Sequence, residues 1–451
     1  DAASFEEAIF EKLHRDGIDF ANCRAQSYDN AAVMSGHISG VQARLLERNS
    51  KAVFINCDNH SLNLAGVHAA KVDPSIVTFF GTIEQTYDFF SSSTSRWTKM
   101  ESRLKSCSVK RESSTRWSAR EDAVRIVADS FNLLVELVQD MHEDEEETAD
   151  TRERAGILLN NLLKFQFVCY LQFWKKLLHS INIVQKRLQS PNMTISDAAT
   201  DMDALVSYLA EKRDNICQES LEEGLKVSQE WDIATERRIR RRKRMPGEEE
   251  RDASMTLEQE ADRVMKAAID TLQREISERS KRVRNLSTNF GFLLNTIDML
   301  TGEIDKETLL AKCEQFATQY EGDIENGMAL MQDIQDCRML FGNRKNDNND
   351  LTVPETPQRL LREIIKYGRD MFPNLRTAIH ILLTIPVSVA GCERSFSKLK
   401  LIKNYLRSTM NQDRLSNLAL LSIERHKFNL VQFDDVIRDF ANSKARKVRL
   451  Q

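Results

Sequence analysis

At 451 residues the chain is too long for one compact core, so two or three domains are expected. Its 41% hydrophobic and 29% charged residues exclude a disordered chain. A net charge of -4 excludes a uniformly basic nucleic-acid binder, so any such contact has to come from local basic patches.

Only 15 Gly and 7 Pro punctuate the chain, which favours long helices. The eight cysteines are scattered and none forms a C-x-x-C pair. That argues against a zinc finger within these residues and against a secreted disulfide framework, and it points to a reducing, intracellular compartment. No apolar run reaches membrane-spanning length, so no membrane partner is expected. From Asp1 there is neither a basic-then-apolar leader nor an initiator Met, and the start reads as a cut.

In chain order, residues 1–20 predict a helix, with Phe5, Ala8, Ile9 and Leu13 on one face and Gly17 as its stop. A short mixed stretch, 21–28, ends in Tyr28-Asp29-Asn30. Small residues follow from Ala31 to Gly36, then a helix to about Glu47. Ala52 to Cys57 is β-branched and apolar and predicts a buried strand. Asp58-Asn59 opens a turn into a helix from His60 to Ala70. The alternation of helix and strand over these 70 residues is the signature of an α/β layer.

Residues 76–107 predict a helix whose stripe of Phe79, Phe80, Ile83, Tyr87 and Phe90 faces a core, with Ser91 to Ser95 a loop or helix end. From 120 to 345 the pattern is almost entirely helical. The acidic run Glu143 to Glu147 is a solvated loop, and Leu158 to Leu178 is the buried central helix of a bundle. Further amphipathic helices span 193–229 and 256–283. Between them, Arg237 to Arg244 holds seven basic residues in eight. Charge of one sign at this density repels itself without a partner, so a nuclear address or a DNA-phosphate contact is favoured over a solvated helix. Asn346 to Pro357 reads as a linker. The apolar stretch Ile379 to Val389 then leads into Gly391-Cys392-Glu393-Arg394-Ser395-Phe396 and helical text to about Lys427, before a basic tail.

Four segments, in order, resemble the hAT transposase superfamily, especially its zinc-finger MYM-type and THAP-linked relatives. Tyr28-Asp29-Asn30-Ala31-Ala32-Val33-Met34-Ser35-Gly36 is similar to the family's Y-D-G-A-x-N-M-S-G segment. Cys57-Asp58-Asn59-His60-Ser61-Leu62-Asn63-Leu64 is similar to its C-x-x-H-x-L-N-L, and Thr115-Arg116-Trp117 to its T-R-W. Ile385 to Ser397, continuing through Leu406-Arg407-Ser408, resembles its C-terminal dimerisation region.

The resemblance implies an RNase H-like α/β core, residues 1–119 and 373–430, split by an all-helical insertion over 120–345. The connection is 346–372 and the tail 431–451, and the whole is predominantly helical. In that family an acidic triad holds two divalent metals that grip the attacking and leaving oxygens of a phosphoryl transfer. Asp29 matches the second acidic residue and Glu393 the third, so both are the expected catalytic residues and Mg2+ or Mn2+ ligands. As residues alone they read as a helix N-cap and an ion-paired surface position. The first carboxylate would lie before the opening helix, and no residue here is assigned to it. Without it the chain is expected to be inactive.

The resemblance also brings Cys57, His60, Arg116 and Trp117 towards DNA. The indole could stack on an unpaired base and Arg116 could pair with phosphate. For Trp117 the alternative is a half-buried anchor, and for Cys57 and His60 a packed turn; a zinc site would need two further ligands. Arg240, Arg241, Arg242 and Lys243 are candidate phosphate contacts, as are Lys398 and Lys400 on the helix after Glu393. The functional expectation is a transposase-derived nuclear protein that binds DNA or protein partners and self-associates through its C-terminal region, without catalysis. An active DNA transposase recorded as a fragment, and a helical interaction scaffold, are the alternatives.

Overall fold

The computed structural model describes residues 1–104, 108–111, 117–190, 193–236, 255–342, 353–368, 370–386, 388–404 and 407–442. Asp1 caps the first helix, α1 (Ala2–Arg15), by accepting from the Ser4 amide at 2.9 Å. Gly17 ends it with φ +68°, a conformation that costs a side-chain-bearing residue. Strand β1 (Ala25–Tyr28) follows. The short helices α2 (Ala32–Ser35) and α3 (Val41–Arg48) then lead to β2 (Val53–Asn56). The strands pair in parallel from Ala25↔Val53 to Tyr28↔Asn56. Buried Gln26 ties β1 to its neighbours, donating through Nε2 to the carbonyls of Gln42 and Ala52.

Then come α4 (Asp58–Ala69), α5 (Pro74–Ser91) and α6 (Thr94–Leu104), followed by α7 (Trp117–Asp129), α8 (Phe131–Glu143), α9 (Ala149–Leu162) and α10 (Phe165–Leu188). The expected helix over 76–107 is broken at Ser92, where the Ser-rich text interrupts it. The acidic loop lies where the charge run predicts it, between α8 and α9. The expected central helix over 158–178 is instead two helices. Leu163 and Lys164 leave helical geometry, and the turn lets Leu158 and Leu162 on one side and Phe165 on the other all reach the core. α10 is the centre of the bundle, with Phe167, Leu171, Phe173, Trp174 and Leu178 buried. Each such side chain contributes about 1.5–3 kcal/mol of burial.

Around it pack α11 (Ile195–Glu230) and α12 (Leu257–Arg279), each opened by a capping box, Thr194 with Asp197 and Thr256 with Gln259. Buried Ser280 separates α12 from α13 (Lys281–Leu294), where one helix to 283 is expected from the pattern. α14 (Thr296–Thr301), α15 (Lys306–Gln319), α16 (Gly327–Phe341), α17 (Pro357–Tyr367) and α18 (Pro373–Thr384) follow. The molecule is thus predominantly helical, and among the described residues the sheet holds two strands.

The chain divides into two compact units, Asp1–Ser388 and Val389–Gln451. The second contains α19 (Ala390–Ile402), α20 (Gln412–Ile423), α21 (Arg425–Phe428) and α22 (Asp434–Asn442), with α19 packed on α20. Its described residues bury few apolar side chains, notably Ala390 and Leu415. Phe396, Leu401, Leu420, Leu421, Val436 and Phe440 are exposed.

Candidate functional site

The parallel register brings the C-terminal ends of β1 and β2 side by side, and the amide of Cys57 extends the pairing by donating to the Tyr28 carbonyl at 3.1 Å. Asp29 leaves β1 at this edge. It is exposed, and its Oδ1 accepts from the Ala31 amide at 3.1 Å in a turn. Asn30 then crosses to the other strand's helix, donating to Ser61 Oγ at 2.9 Å.

Cys57 is fully buried and His60 half-buried, both at the start of α4. Asp58 between them is 2% exposed, and its Oδ2 has no hydrogen-bond partner. Burial without a compensating charge pushes its carboxyl up to about 8. The rest of the turn is a buried polar seam. Asn59 Oδ1 accepts from Gln189 Nε2, and Asn63 Oδ1 accepts from Gln185 Nε2 at 3.0 Å and from the Trp117 amide at 3.3 Å.

Trp117 belongs to that seam. Its side chain is 2% exposed, lies 5.9 Å from the Trp174 ring and packs over Gly66 of α4. The Arg120 guanidinium covers Phe80 at 4.1 Å and Trp117 at 5.3 Å. The indole therefore anchors α7 to α4 and α10 and has no face open for stacking on a base in this arrangement. Arg116, Arg240, Arg241, Arg242 and Lys243 lie outside the described residues.

In the second unit Glu393 sits half-buried in the first turn of α19, where the helix dipole favours its negative charge. Lys398 Nζ donates to the carbonyl of Ser422 at 2.6 Å, so its charge closes the C-terminal end of α20. Lys400 is exposed. Asp29 and Glu393 thus stand in separate units. Among the described residues no three His, Cys, Asp or Glu side chains gather as a group that could hold a metal ion.

Sequence reading missed Arg282. It reaches from α13 to the strand ends, donating through Nη1 to Asn56 Oδ1 at 3.2 Å and lying 5.0 Å over the Phe54 ring. It also missed the ion pair of Arg24 with Asp323, made by two contacts of 2.6 Å, which fastens β1 to the turn after α15. No local pattern announces either, because the partners are 226 and 299 residues apart.

Residues 363–426 match the hAT family C-terminal dimerisation region. Over 98% of its length the chain is 25% identical to the 52 kDa repressor of the inhibitor of the protein kinase of Mus musculus, covering 58% of that protein. It is 24% identical over 95% of its length to the protein of the same name in Homo sapiens, covering 56% of it. The chain therefore spans less than two thirds of these relatives. Among the described residues no helix is long and apolar enough to cross a membrane.

Proposed function

We propose that this chain, which carries a stretch matching the hAT dimerisation region and is similar to the mouse and human repressor proteins above, is the self-associating, DNA-binding part of a transposase-derived nuclear protein, and that it performs no strand cleavage. The observation that carries the reading is the second unit. From Val389 on, the part of the matching stretch that lies in this unit leaves large apolar side chains exposed and buries few among its described residues, a face that a second copy would cover. The mouse and human relatives are named for repression, which accords with kept binding surfaces.

The RNase H-like core belongs to this reading. Its support is the parallel β1–β2 pair with an acidic residue at its carboxyl edge, the side of open α/β sheets where ligands bind. On this reading Asp29 and Glu393 are Mg2+ or Mn2+ ligands of that core, as the resemblance implies. DNA is held by its phosphates through Arg240, Arg241, Arg242, Lys243 and Lys400.

The test is salt-dependent binding of the full chain to a DNA duplex, with and without neutralisation of those four clustered residues. Weakened binding and a shallower salt slope support the reading. Unchanged binding removes the basic run from it, and no binding by the unaltered chain leaves the helical scaffold. An active transposase requires cleavage in Mg2+ that Asp29→Asn abolishes without unfolding the chain.

A further inference from the structure

We propose that Arg282 is a phosphate-binding residue at the carboxyl edge of the β1–β2 pair, placing a nucleic-acid strand across the strand ends beside Asp29. This rests on the DNA-binding reading above and names a contact within it.

Four basic residues cluster where α12 passes into α13, and three of them are neutralised. Arg279 pairs with Glu275 at 3.0 Å, Lys281 with Glu278 at 2.6 Å, and Arg284 with Asp203 at 2.5 Å. Glu278, one turn before Arg282, is engaged by Lys281. Arg282 has no carboxylate within ion-pair distance among the described residues, and its one hydrogen bond there is to a neutral amide oxygen. Arg282 itself is exposed, with its guanidinium laid over the Phe54 ring. The cation thus lies over the Phe54 ring at the surface with most of its five donors unspent, free for a two-pronged contact with phosphate oxygens.

Its position selects the ligand. Asn56 is the last residue of β2 and is in register with Tyr28, and Asp29 is the next residue along β1. Arg282 thus stands at the edge where parallel strands present ligands, from a helix that lies outside the strands' own segment. The Phe54 ring beneath the guanidinium stacks in turn on Tyr28 at 6.0 Å, which fixes the plane of the fork. A phosphodiester suits this edge because it is a monoanion in a chain of like groups, and the exposed Asp29 carboxylate beside it disfavours a compact multiply charged anion.

The experiment is fluorescence anisotropy of the full chain with a short labelled DNA duplex of mixed sequence, across a salt series. It compares Arg282→Gln, Arg282→Lys and Arg284→Gln. Both glutamine variants remove one positive charge, but Arg284 is already paired. Arg282→Gln is expected to weaken binding roughly tenfold and to lower the salt slope by about one. Arg282→Lys keeps the slope and loses about threefold for want of the fork. Arg284→Gln is expected to bind as the unaltered chain. Should Arg282→Gln fail to fold, the lysine variant carries the comparison, since it keeps stem and charge.

Equal binding by Arg282→Gln and the unaltered chain overturns this inference and leaves the DNA-binding reading standing. Equal losses from both glutamine variants overturn it too, as a bulk charge effect. No binding by the unaltered chain overturns the DNA-binding reading and this inference with it.

Discussion

Gly66 of α4 and Trp117 of α7 meet so closely that a Cβ on the glycine would lie 2.0 Å from Cζ2 of the indole. No side chain, however small, shares that space without moving the indole or its helix. Gly66→Ala is expected to destabilise the chain by about 1–3 kcal/mol through overpacking. Trp117→Ala should cost about 3–5 kcal/mol through the cavity it leaves. Combined with Trp117→Phe, Gly66→Ala should cost less than it does alone, because the smaller ring vacates the contested volume. Urea denaturation of the unaltered chain, Gly66→Ala, Trp117→Phe and their combination checks this, and strict additivity would refute the contact.

Asp58 predicts a pH dependence. Its carboxyl is raised to about 8 in the folded chain, whereas an unfolded aspartate titrates near 4. Between those values the unfolded state has released a proton that the folded state keeps. Stability at this site therefore falls as pH rises, by about 1.4 kcal/mol per pH unit, and levels off above about 8. Asp58→Asn keeps the shape and removes the titration. It should be more stable than the unaltered chain at pH 7.5 and nearly equal to it at pH 4, as read from melting temperatures at the two pH values. A constant difference at both values would show that Asp58 does not titrate in this way.

The ion pair of Arg24 with Asp323 has both side chains under a fifth exposed. Removing one partner strands a charge in a partly buried site, so Asp323→Ala should cost about 3 kcal/mol. Replacing both with apolar residues of similar size, Arg24→Met with Asp323→Leu, should cost less. Thermal unfolding distinguishes the two, and equal losses would mean that packing and not charge holds the strand to that turn.

Local pattern carried much of the architecture. Gly17 marked the first helix end because φ +68° is a position that glycine fills cheaply, and the β-branched run to Cys57 marked β2 because such residues suit a pleated, buried strand. The breaks at Leu163 and Ser280 were illegible, since the apolar period continues across them and only the tertiary path requires the turn. At the candidate site, Asp29 was singled out by motif, and it stands where β1 ends. Trp117 also stood out by motif, but its burial depends on Gly66 and Trp174, which no spacing connects to it. Arg282 could not be singled out from Arg279, Lys281 and Arg284, because what distinguishes it is that no carboxylate among the described residues pairs with it in space.

Self-association of the C-terminal unit is the central claim, and its most direct test is sedimentation equilibrium of the full chain over a range of concentrations. The comparison is with Leu420→Asp combined with Leu421→Asp, both exposed on α20. The account predicts a concentration-dependent rise from 51.9 kDa towards twice that mass for the unaltered chain. The double variant should stay at 51.9 kDa while keeping the helical circular-dichroism signal. A mass of 51.9 kDa for both proteins at every concentration would contradict it.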